Sequence, residues 1–72
     1  MTEQERKDRF GVNLMRLIAE HGCTLRDFAE ETGISETALN NYINGRRMPS
    51  FFVLEHFADV LDCGLDEFRR YR

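Results

Sequence analysis

The chain is predicted to be a single all-α domain of five short helices. Apolar residues recur at helical spacing in nearly every segment, which is the main signal for amphipathic helices. No run shows the alternation of a strand. Most of the glycines, and the single proline, fall between the apolar segments, where helices stop. Seventy-two residues make one domain, 1–72, and a core of this size supplies only about 3–5 kcal/mol without a staple.

Each element has its own start and stop. Thr2 with Glu5 has the form of a capping box, so helix 1 starts near Glu3. Phe10, Leu14, Leu17 and Ile18 fall on one face, and Gly22 supplies the stop. Gly11 lies inside this helix, where it costs about 1 kcal/mol relative to alanine, and a close helix contact would account for it. Thr24 with Asp27 forms a second capping box and opens helix 2, with Phe28 and Ala29 inward and Gly33 as its end. Ser35 caps helix 3, whose inward residues are Ala38, Leu39 and Tyr42, and Asn44-Gly45 closes it. Ser50 caps helix 4, with Phe51, Leu54, Phe57, Ala58 and Leu61 on its inner stripe. Helix 5 is one or two turns from Leu65, with Phe68 inward. Phe10, Leu14, Phe28, Leu39, Tyr42, Leu54, Phe57, Leu61 and Phe68 are therefore expected to share one core.

The stretch Thr24 to Ser50 thus reads as two short helices joined by a tight turn, followed by an exit loop carrying Arg46 and Arg47. Such a helix-turn-helix presents its second helix to the major groove of DNA. In order and spacing, Gly22, Thr24, Ala29, Gly33, Ser35, Leu39, Tyr42, Asn44-Gly45, Arg46, Arg47, Pro49-Ser50, Leu54, Ala58, Leu61 and Asp66-Glu67 resemble the phage-repressor and Cro-like helix-turn-helix family, also called the XRE family. The resemblance runs from Phe10 to Phe68 without a gap. It implies a compact five-helix repressor-type domain that binds specific double-stranded DNA, usually as a homodimer, to regulate transcription. Carried over by position, it makes Glu36, Thr37 and Asn41, with Asn40 beside them, the base-reading residues. Thr24, Asn44, Arg46 and Arg47 become the phosphate contacts. The chemistry agrees: Asn pairs bidentately with adenine, Glu accepts from cytosine N4, and loop arginines hold phosphates.

Three positions depart from the family. Leu25 stands where a Gln usually braces phosphate and the reading helix. Glu36, at the first reading position, repels phosphate. Ile18 and Ile43 replace an Arg late in helix 1 and a Glu at the end of helix 3. Replacing both partners of a buried pair by apolar residues is often neutral or stabilising, whereas removing one costs about 3–5 kcal/mol.

The net charge is −3, which argues mildly against nucleic acid, since such domains are usually basic. Within Thr24–Ser50, Arg26, Arg46 and Arg47 stand against Asp27, Glu30, Glu31 and Glu36, while the end of the chain, Arg69-Arg70-Tyr71-Arg72, is basic. Cys23 and Cys63 read as buried free thiols of a reducing, cytoplasmic compartment, with a disulfide between them the minor reading. His21 and His56 share no ligand spacing with them, so neither a metal nor a cofactor is expected. No signal peptide or membrane-spanning run is visible. No nucleophile–base pair or phosphate loop points to an enzyme, and Ser35 and Ser50 are accounted for as caps. Helix 4 also carries Phe52, Val53, His56 and Val60 opposite its inner stripe, by helical angle. The first reading is scattered exposed side chains and the second a protein-contact surface, with His56 as a ligand or base the least favoured. The alternative to a DNA-binding regulator is a helix-turn-helix protein acting through protein contacts, as an antitoxin-like or accessory subunit.

Overall fold

The computed structural model describes residues 1–70; Tyr71 and Arg72 of the basic end lie outside the described residues. Four α-helices follow one another: α1 (Glu3–His21), α2 (Leu25–Thr32), α3 (Glu36–Ile43) and α4 (Phe51–Leu61). The expected fifth helix is instead a 3-10 segment, Leu65–Arg69. Five residues with no side-chain cap are too few to nucleate an α-helical ladder. No strand occurs among the described residues, and none of their helices is long and apolar enough to cross a membrane.

The caps explain the boundaries. Thr2 and Thr24 close complete capping boxes with Glu5 and Asp27. Ser35 and Ser50 accept from the backbone N–H groups of Ala38 and Val53. Gly22 and Gly33 end α1 and α2 at φ of 83° and 76°, the left-handed region where a Cβ is costly.

The core gathers one side of every element. Leu14, Phe28, Leu39 and Phe57 are wholly buried, and Phe10, Leu17, Ile18, Ala58, Leu61 and Phe68 join them. Tyr42 and Leu54, expected inside, are half-buried against this cluster. Phe28 and Tyr42 meet the Phe57 ring at centroid distances of 5.3 and 6.0 Å, locking α2 and α3 onto α4. Phe10 stacks on Phe68 at 5.5 Å and fastens the 3-10 segment to α1. Phe51 departs from expectation: it is 63% exposed, because the inner stripe of α4 begins one turn later.

The opposite correction applies to the presumed outer side of α4. Val53 and Val60 are half-buried and pack against the core. His56 is also half-buried, and its Nε2 donates to the Thr32 carbonyl oxygen at 3.0 Å. The end of α2 meets this side at His56, and only Phe52 of the four stands out, at 80% exposure. The two cysteines are free and half-buried rather than buried, and burial raises both thiols above their ordinary pKa.

Polar side chains complete the packing at places that no local pattern marks. Asn13 is buried; its Nδ2 donates to the carbonyl oxygens of Phe68 at 2.9 Å and Arg70 at 2.7 Å. Arg16 pairs with Glu67 at 3.4 Å and with Glu20 at 3.2 Å, and Arg70 pairs with Glu67 at 3.1 Å. Hydrogen bonding from Arg70, then the Arg70 charge and Arg16, holds the Glu67 carboxyl below its ordinary value. The folded state therefore takes up this proton later than the unfolded chain as pH falls. Its stabilisation is complete above the unfolded pKa of about 4.3 and disappears as pH drops through the lower folded value. Melting temperatures measured across the acid range should fall less steeply in Glu67→Gln than in the wild type.

Candidate nucleic-acid interface

The turn between α2 and α3 is built by Thr32 and Gly33. The Thr32 hydroxyl donates to the Phe28 carbonyl oxygen at 2.8 Å and accepts from the Ile34 N–H at 3.2 Å. This bond, with His56 on the neighbouring carbonyl, fixes where the chain leaves α2. Ser35 then starts α3 with its inner side set by Leu39, which is wholly buried.

With Leu39 inward, Glu36, Thr37 and Asn40 are exposed and Asn41 is half-buried at the border of the same outward side. The four base-reading candidates thus share the solvent side of α3. Of the phosphate candidates, Thr24, Asn44, Arg46 and Arg47 are all exposed. The Thr24 Oγ1 accepts from the Asp27 N–H at 3.0 Å, which leaves its O–H able to donate elsewhere. The Asn44 side chain donates to the Asn40 carbonyl oxygen at 2.8 Å. Backbone N–H groups of Arg46 and Arg47 close the exit turn on the Asn41 carbonyl oxygen at 2.9 and 3.3 Å. The Arg46 guanidinium lies 3.5 Å from Asn41 Oδ1, the outer limit of a hydrogen bond. The exit loop and the last turn of α3 are therefore one hydrogen-bonded unit.

Two residues that sequence reasoning missed hold that unit to α1. Gln4 Nε2 donates to the Gly45 carbonyl oxygen at 2.9 Å and to Asp8 Oδ1 at 3.0 Å. Gly45 is buried at φ 73°, and a Cβ there would run into the Asp8 carboxylate. No sequence pattern announces Gln4, because the contact spans 41 positions. Arg26 is a third omission: with Glu30 and Glu36 it lines a shallow recess beside the start of α3, placing a cation next to the acidic reading position. Leu25 is half-buried against the core, so it replaces a polar brace by packing. No group of His, Cys, Asp and Glu among the described residues is arranged to hold a metal ion.

Two capped helices, a tight turn between them and a polar outward side on the second define a helix-turn-helix protein. A family model described as helix-turn-helix, HTH_3, matches residues 14–68. The chain belongs to this family, the XRE-type group that its sequence resembles. Among solved structures it is similar to an HTH_3 family transcriptional regulator from Vibrio cholerae, with TM-score 0.84 and 25% identity. That match covers 93% of this chain but only 38% of the regulator. The fold is also that of the restriction-modification controller protein C.AhdI from Aeromonas hydrophila, with TM-score 0.79 and 22% identity over 86% of this chain and 94% of that one. No curated protein matches the chain.

Proposed function

We propose that the protein is a sequence-specific DNA-binding transcriptional regulator that acts as a homodimer, with α3 in the major groove. The continuous outward surface from Glu36 through Asn41 to Arg47 carries this reading. Side chains able to read base edges run directly into a loop whose arginines reach phosphates, and that loop is fixed by Gln4. The likeness to a transcriptional regulator over most of this chain supports the same reading. Two copies would place their α3 helices about 34 Å apart, one turn of the duplex.

The test is binding to a randomised duplex pool, followed by titration of the selected site at several salt concentrations. Arg46→Ala and Arg47→Ala should weaken binding on every sequence and lower the salt slope by about one each. Asn41→Ala should instead relax preference at particular base pairs. The half-buried Leu25 and the acidic balance favour the second reading, action through protein contacts. A protein that shows no salt-dependent binding to any duplex supports that reading instead.

A further inference from the structure

Two grooves flank α4, and their charges are opposite. One, of about 600 Å³, has Phe51, Leu54 and Leu65 in its wall and Arg6, Arg9 and Arg69 around it, with no acidic side chain lining it among the described residues. The other is lined by Phe52, Glu55, Asp59 and again Leu65, with no Lys or Arg among its described lining residues. Phe51 and Phe52, consecutive in sequence, stand 63% and 80% exposed, one in each groove. Phe52, Glu55 and Asp59 are all exposed and spaced to share one side of the helix. A protein of net charge −3 thus sets an arginine-rimmed apolar groove beside an acid-rimmed aromatic edge.

We propose that a second copy of this chain occupies the arginine groove, through the Phe52–Glu55–Asp59 edge of its α4. This rests on the homodimer reading above and names the surface that pairs. Because both grooves touch Leu65, a two-fold axis beside Leu65 brings the arginine groove of each copy onto the acidic edge of the other, twice over. An axis through the arginine groove itself would set Arg6, Arg9 and Arg69 against their own copies. Symmetric pairing is the common form of homodimer, and like charges face to face oppose it, so charge selects the first arrangement. The exposed phenyl rings then enter apolar surroundings, and Glu55 and Asp59 meet the arginines at the rim.

Complementary charge reversal tests this by sedimentation, with circular dichroism confirming that each variant folds. Glu55→Arg with Asp59→Arg makes the edge basic. Arg6→Glu with Arg69→Glu makes the groove acidic. Each double variant alone should self-associate at least about tenfold more weakly than the wild type, as juxtaposed like charges do. Their mixture should regain dimers, because both contacts across the axis are then between opposite charges. Variants that dimerise like the wild type, or a folded mixture that stays monomeric, overturn this surface while leaving a dimer elsewhere intact. A wild type that is monomeric at every concentration overturns the homodimer reading itself and leaves the groove to another protein.

Discussion

Replacing Gly11 by alanine is expected to destabilise the protein by about 2 kcal/mol, although helix propensity alone favours the change by about 1 kcal/mol. Gly11 is buried in α1 where the C-terminal end of α3 crosses it. A Cβ there would press on the Ile43 carbonyl oxygen and lie 2.7 Å from that of Tyr42. Both are main-chain atoms of a helix held by Leu39 and Tyr42 in the core, so neither can swing aside as a flexible side chain would. The helices must separate, and overpacking of this kind costs about 1–3 kcal/mol, occasionally more. In a domain this small, each kcal/mol moves the melting temperature by about 4–8 °C. The displaced end of α3 carries Asn41 and leads into Asn44 and Arg46, so under the proposed function DNA affinity should fall with stability. A melting temperature equal to or above that of the wild type would show that the crossing opens without cost and end this account.

Gly11 also shows what the sequence makes legible. A glycine in mid-helix is an anomaly against propensity, and it foretells a close crossing without saying which helix crosses. The caps at Thr2, Thr24, Ser35 and Ser50 were readable because capping depends on residues three apart. The core stripes of α1 and α2 were readable from their spacing. α4 was harder because Phe51, Phe52, Val53 and Leu54 are all apolar, so periodicity could not say which side is inner. Tertiary packing decided it: the end of α2 takes His56, Val53 packs on the core, and Phe51 is left out. The last segment failed as an α-helix because it is five residues long with no side-chain cap, and the contact of Asn13 with the Phe68 carbonyl oxygen that holds it in place leaves no local trace. For the candidate interface, the outward side of α3 followed from helical geometry once Leu39 was placed inside. Gln4, Asp8 and Arg26 did not, since contacts between distant elements leave no local trace.

The largest loss is expected from Ile18→Arg. Ile18 is 3% exposed within the core. Ile43, half-buried, packs against the same cluster. The family resemblance leads one to expect a cation and an acid at these two positions, where this chain has two isoleucines packed on one core. An arginine alone at position 18 would place a charge in the core, with an apolar residue rather than an acid at position 43. An uncompensated buried charge costs about 3–5 kcal/mol, comparable to the whole stability of a core this size, so Ile18→Arg should be largely unfolded at room temperature. Adding Ile43→Glu to it should recover most of the loss, because the exchange is then reversed as a pair. Denaturant titrations of the two single variants and the double variant form a closed cycle, in which a favourable interaction of about 2 kcal/mol or more is expected. Additive losses would mean that the two side chains do not face each other, and that the paired replacement at Ile18 and Ile43 is two unrelated changes.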